Sequence, residues 1–176
     1  MRIVELGGGF GGQAIALAAL PTGGFTSYVD IDLVESCLLA TKHVQLSAAL
    51  PSASDYEREV LGQFSCIPSH SWNHQTACDL FISNYALSEL SAAEQKLIIR
   101  DVVALCKRGH IEANDISRHH GLAGSSTADL VQVMFDETWL NVTASYHYCT
   151  GSAGRWSASC AALVVYGESV PSSDRH

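Results

Sequence analysis

Five glycines fall within six residues, Gly7-Gly8-Gly9-Phe10-Gly11-Gly12, directly after the short run Ile3-Val4-Glu5-Leu6. An alanine- and leucine-rich segment, Gln13 to Leu20, follows at once. Strand, glycine loop and helix in that order can hold a nucleotide-like ligand. Glycine lets the backbone approach a ligand closely and lets φ go positive. This start predicts a first strand over Ile3–Leu6 and a first helix from Phe10 to about Leu20, ended by Pro21-Thr22-Gly23-Gly24.

The rest of the chain repeats the alternation. Thr26–Asp32 reads as a second strand with an acidic end, and Leu33 to about Leu50 as a second helix stopped by Pro51. Residues 51–61 are polar and poorly patterned. Gln63–Ile67 is a third strand, Ser69–Thr76 a loop and Asp79–Ser83 a strong fourth strand. Ser91 with Glu94 forms a capping-box pattern for a helix running to about Cys106. Leu97, Ile98, Val102 and Leu105 are its expected inner face, and Lys107-Arg108-Gly109 its expected end. His110–Asp115 reads as a fifth strand and Ser126–Phe135 as a helix. Trp139–Tyr148 and Ala158–Tyr166 are two strands joined by the turn Gly151–Gly154. The pattern implies an α/β, Rossmann-like three-layer sandwich. Its sheet is mostly parallel and seven-stranded, with an antiparallel C-terminal strand pair. One domain spans residues 1–170, and 171–176 form a disordered tail.

Ten Lys+Arg stand against eighteen Asp+Glu, a formal charge of -8, and no basic run stands out. Such a surface repels a phosphate backbone, so no nucleic-acid partner is expected. No apolar run approaches the roughly 20 residues of a membrane helix. Glutamate and glycines interrupt the start, so a signal peptide is not expected either. The six cysteines include no C-x-x-C pair, and the expectation is reduced core thiols in a cytoplasmic protein. His70 and His74 flank Trp72, but no third ligand has suitable spacing, so no metal is expected.

Two ligands compete for the glycine loop. Gly7-x-Gly9-x-x-Gly12 satisfies the dinucleotide fingerprint. Glu5-x-Gly7-x-Gly9-x-Gly11 also resembles the first motif of class I S-adenosylmethionine-dependent methyltransferases. Glu5 discriminates. A carboxylate there would face a pyrophosphate, whereas it suits the ammonium and sulfonium of a methionine-derived ligand, directly or through water. At the end of the second strand a carboxylate can accept both ribose hydroxyls. Asp30 and Asp32 both qualify, and Asp32 is favoured because Asp32-Leu33-Val34-Glu35 resembles the Asp-Leu-Pro-Glu segment of many such enzymes. The binding residues expected for S-adenosyl-L-methionine are Glu5, Gly7, Gly8, Gly9, Phe10, Gly11, Asp30, Asp32 and Asn84. Either Phe10 or Trp72 could stack on adenine; for Trp72, packing is the stronger expectation.

The segment Asp79-Leu80-Phe81-Ile82-Ser83-Asn84-Tyr85-Ala86-Leu87-Ser88-Glu89-Leu90, with the glycine loop and Asp32–Glu35, resembles a bacterial sugar O-methyltransferase family. The likeness extends loosely through Gly109–Ile116 to Val164–Gly167. It implies a donor at the carboxyl ends of the first strands and methyl transfer to a hydroxyl of a sugar or glycan. Members usually carry a substantial region before the first strand, so a minimal, truncated or degenerate member is expected here.

In-line methyl transfer needs alignment and, for an alcohol, a base. Asp115 with His119 or His120 is the best local cluster for that base, since a neutral histidine takes a proton near neutral pH. Glu89 is a second candidate, and Asn84 is placed against donor or acceptor. The rival readings are a nicotinamide-dependent oxidoreductase and a donor-binding remnant without turnover.

Overall fold

The computed structural model describes residues 1–21, 24–72, 77–114, 127–137, 141–150 and 157–166. The chain divides into two compact units. One comprises 1–73 and 78–82, the other 74–77 and 83–176.

The first unit opens with β1 (Arg2–Leu6), α1 (Gly12–Ala18), β2 (Ser27–Asp32) and α2 (Val34–Ala49). It continues with α3 (Asp55–Leu61) and β3 (Phe64–Pro68). β2 pairs in parallel with β1 on one side and β3 on the other. Glu5, Asp30 and Cys66 therefore fall in one row across the three strands. Residues side by side in a parallel sheet share a face, so this register brings two acids and a sulfur together. Ile3, Ala14, Ala18, Phe25, Tyr28, Val44, Val60, Leu61 and Ile82 form the core of this unit.

α2 buries Cys37, Ala40 and Val44, a spacing of three and four that keeps one face inward. Its larger apolar residues lie outside: Leu38, Leu39 and Leu46 are exposed. The polar stretch 51–61 is not featureless, because α3 occupies most of it. Ser54 caps that helix, accepting from the Glu57 amide while the Glu57 carboxylate accepts from the Ser54 amide. This is the same capping box that sequence reading found at Ser91, overlooked because apolar residues are sparse here.

In the second unit, Leu80–Asn84 (β4, which begins in the first) leads to the single turn α4 (Ala86–Glu89). α5 (Ala92–Asp101), β5 (Arg108–Asn114), α6 (Thr127–Glu137), β6 (Asn141–Thr150) and β7 (Ser157–Tyr166) follow. The capping box at Ser91 and Glu94 is present as expected. α5 ends at Asp101, a 3-10 turn covers Val103–Leu105, and Arg108-Gly109 begin β5 rather than ending the helix. Its buried residues are Gln95, Ile98 and Ile99, whereas Leu97 and Leu105, expected inside, are exposed. The expected turn at 151–154 and the tail at 171–176 lie outside the described residues.

Candidate functional site

The glycine loop leaves β1 through Gly7, whose amide still donates to Ile31 O at 2.9 Å. The next two amides bond to side chains of β2. Gly8 N–H donates to Asp30 Oδ1 at 2.9 Å, and Gly9 N–H to Asp32 Oδ2 at 2.8 Å. Both acids that sequence reading placed at the strand end thus grip the loop from below. A Cβ at Gly8 would lie 2.6 Å from Asp30 Oδ2, so only glycine permits this approach. Gly9 has open space around its missing Cβ but a φ of +62°, which disfavours other residues on backbone grounds.

Behind the loop the carboxyls are crowded. Glu5 is 1% exposed, and its Oε2 accepts the Tyr28 hydroxyl at 2.5 Å. Asp30 is 0% exposed, whereas Asp32 is only partly buried. Burial pushes the Glu5 carboxyl above its ordinary range; the Tyr28 hydrogen bond opposes this and the Asp32 charge adds to it. Burial also raises Asp30, to about 7; the Gly8 amide opposes this, and the charges of Glu5 and Asp32 add to it. Tyr28 is raised by burial and by Glu5, so its hydroxyl stays protonated and donates. Glu5, Asp30 and Asp32 thus crowd three carboxyls beside a loop whose first amides are already engaged.

Asp32 is the more accessible of the two acids. Its Oδ1 accepts from Leu33 N–H at 2.6 Å and its Oδ2 from Gly9, yet each carboxylate oxygen has a second lone pair and the residue reaches solvent. Asp30 is enclosed and acts on the loop backbone. Phe10 is 56% exposed at the loop tip, with its ring centroid 5.4 Å from that of His43. His43 Nδ1 lies 2.8 Å from Phe10 O, a contact from α2 that sequence reading missed. Trp72 is buried, in keeping with a packing role.

Asn84 ends β4 in the second unit and is partly buried. Tyr85 follows with a φ of 72°, the one non-glycine among the described residues in the left-handed region. Its amide donates to Glu112 O at 2.8 Å, and Ser83 Oγ accepts from Leu87 N–H. Glu89 is exposed at the end of the single turn α4. Asp115, His119 and His120 lie outside the described residues, as does His74.

The reduced-thiol expectation is corrected at four positions, since Cys37, Cys66, Cys78 and Cys106 are all disulfide-bonded. Cys37 of α2 and Cys66 of β3 form a disulfide, with Cα atoms 5.1 Å apart. Parallel pairing of β3 with β2, and α2 crossing beside them, bring together two cysteines 29 residues apart. No local sequence signal marks that proximity. Two cavities of the first unit, about 420 and 310 Å³, are lined by residues such as Tyr56 and Gln63, or Thr41 and Arg58; neither includes a glycine-loop residue. No helix among the described residues is long and apolar enough to cross a membrane.

The fold so described is the α/β, Rossmann-like fold of class I methyltransferases. No protein-family model matches the chain, and no curated protein matches its sequence. Solved structures match it along most of its length. The N-terminal domain of EvdMO1, in the presence of S-adenosylhomocysteine and D-fucose, has a TM-score of 0.64 at 12% identity, covering 96% of this chain and 76% of that one. The methyltransferase domain of bacterial CtHen1 gives 0.61 at 10% identity, covering 94% and 89%. An O-methyltransferase family protein from Burkholderia thailandensis gives 0.62 at 18% identity, covering 96% of this chain and 51% of that one. This chain therefore spans about half the length of the Burkholderia protein.

Proposed function

We propose that the chain is a methyltransferase that takes its methyl group from S-adenosyl-L-methionine and passes it to a hydroxyl of a sugar or glycan. One observation carries the choice of donor. The Gly8 and Gly9 amides, which a pyrophosphate would need, are bonded to Asp30 and Asp32, with Glu5 behind them. A dianionic pyrophosphate would meet three carboxyls and two engaged donors there. A phosphate-free ligand carrying an ammonium and a sulfonium meets favourable charge.

When bound, S-adenosylmethionine supplies an electrophilic methyl group on a positively charged sulfur. The residues of this chain hold it. Asp32 accepts the ribose hydroxyls, Gly7 and Gly9 let the backbone come close, and the exposed Phe10 ring offers a face to adenine. Glu5, anchored by Tyr28, offers a carboxyl to the donor's cationic end, and the bound cation favours its ionised form. Asn84 is placed against donor or acceptor, Glu89 is a second candidate for the base, and the first is Asp115 with His119 or His120. Their place in the chain, after the fourth and fifth strands, supports this, since ligands of open α/β sheets bind at carboxyl strand ends. The sugar class is supported by the motif at Asp79–Leu90 and by EvdMO1, a protein of this fold obtained with D-fucose present.

The same reading takes the sheet as seven-stranded, closed by an antiparallel strand pair, in one domain over 1–170. Two antiparallel registers support the closing pair: Arg108 opposite Tyr166, and Asn141 opposite Tyr166. Incubation with radiolabelled S-adenosylmethionine and a panel of sugars and glycans tests the activity. Label should pass to a hydroxyl-bearing acceptor, and Asp32→Ala should abolish transfer. Label appearing only on nitrogen acceptors would overturn the O-methyl reading.

A further inference from the structure

The Cys37–Cys66 disulfide lies against the same carboxyl that grips the glycine loop. Cys66 is the register partner of Asp30, and its Sγ is 3.5 Å from Asp30 Oδ2. The other oxygen, Oδ1, holds Gly8 N–H. Cys37 sits in the first turns of α2 and is buried, while Cys66 is partly exposed. α2 is also the helix beside the loop, since a Cβ at Gly11 would reach Val44 at 3.0 Å and Ala40 at 3.5 Å. The groups facing Asp30 are Glu5 from β1, Tyr28 and Asp32 from its own strand, and Cys66 from β3.

The two redox forms of Cys66 differ in one respect that matters to Asp30. A thiol carries a proton and can donate it to a carboxylate, whereas a disulfide sulfur has none. At 3.5 Å the sulfur is within donating distance for the reduced form. A buried carboxylate with little solvent responds strongly to one donor more or less. We infer that Cys37 and Cys66 form a thiol–disulfide switch on the donor loop, whose dithiol form favours the ionised Asp30 that holds Gly8 and so tightens donor binding. The inference rests on reading the loop as the donor site.

The chemistry is a two-electron exchange with a small-molecule thiol or dithiol. The Cys37–Cys66 S–S bond breaks and a new S–S bond forms in the reductant. Two electrons and two protons pass to the cysteine sulfurs. Oxidation by a small-molecule disulfide runs the same steps in reverse.

Calorimetric titration of the full chain with S-adenosylhomocysteine, with and without dithiothreitol, tests this directly. Near pH 7 the reduced protein should bind about threefold more tightly. The difference should close at pH 9, where Asp30 is ionised in both forms. Cys37→Ser leaves Cys66 a permanent thiol and should match the reduced protein without responding to reductant. Cys66→Ala has neither the donor nor the bond and should match the oxidised protein. Equal affinity in both redox states, or a Cys66→Ala protein that binds like the reduced one, overturns the switch. Dithiothreitol also reaches the disulfide-bonded Cys78 and Cys106, so the two variants, compared with each other without reductant, make the same test with those cysteines left oxidised. If neither state binds S-adenosylhomocysteine, the donor reading fails by itself. The Asp30 carboxyl titration, followed by ¹³C NMR without ligand, then decides: a lower midpoint in Cys37→Ser than in Cys66→Ala supports the switch, and equal midpoints overturn it.

Discussion

The Tyr28 hydroxyl donates to Glu5 Oε2 at 2.5 Å inside the paired strands β1 and β2, where both residues are almost fully buried. The acid singled out by its place before the glycines therefore has a dedicated partner 23 residues away. Removing that partner leaves a buried carboxyl short of a donor. Tyr28→Phe should cost about 1–3 kcal/mol of stability, read by urea denaturation. An unchanged midpoint would show that Glu5 does not depend on Tyr28.

Stability should also depend on pH in an uncommon direction for carboxyls. Asp30 is raised from its ordinary 3.8 to about 7 in the folded chain, and Glu5 is raised as well. Between those values the folded state holds more protons than the unfolded state, so stability falls as pH rises. The contribution is fully present below pH 4 and gone above about 7. For Asp30 alone the ceiling is about 4 kcal/mol. Asn at this position keeps a carbonyl for Gly8 and never ionises. Asp30→Asn should flatten the decline between pH 5 and 8, measured by denaturation at both pH values, and a slope like that of wild type would contradict the assignment.

Gly8 and Gly9 should fail differently when replaced. A methyl group at Gly8 meets the Asp30 carboxyl at 2.6 Å, so Gly8→Ala must displace the buried acid. At Gly9 the methyl group meets nothing within 4 Å, and only the φ of +62° opposes it. Gly9→Ala should cost about 1–2 kcal/mol, and Gly8→Ala more than that. Thermal denaturation of the two variants side by side checks the order.

Much of the first unit is legible in the sequence because local signals and tertiary structure agree there. The glycine run and the acidic end of β2 each have a short-range cause, as does the capping box at Ser91 in the second unit. α3 escaped because its capping box precedes a helix with few apolar residues. On the expected inner face of this segment Ile98 and Val102 are buried, whereas Leu97 looks as apolar as Ile98 and only packing distinguishes them. Asp30 reads as an oddity in sequence; its purpose appears once the register sets it beneath Gly8. The Tyr28–Glu5 pair depends on strand pairing and the Cys37–Cys66 bond on how α2 packs against β3, neither of which a local pattern encodes.

The capping boxes offer a control away from the site. Glu57 and Glu94 are held below their ordinary range by their serines, so this contribution is present above the unfolded carboxylate range and fades as pH falls. Ser54→Ala or Ser91→Ala should each cost about 1 kcal/mol near neutral pH, with donor affinity unchanged. A loss of donor binding in either variant would mean that the two helices report on the loop.

Calorimetric titration of the wild-type chain with S-adenosylhomocysteine and, separately, with NAD tests the central claim most directly. The engaged Gly8 and Gly9 amides and the three acids predict that S-adenosylhomocysteine binds, that Asp32→Ala weakens it at least about tenfold, and that NAD gives no binding heat. Binding of NAD without binding of S-adenosylhomocysteine would contradict the account.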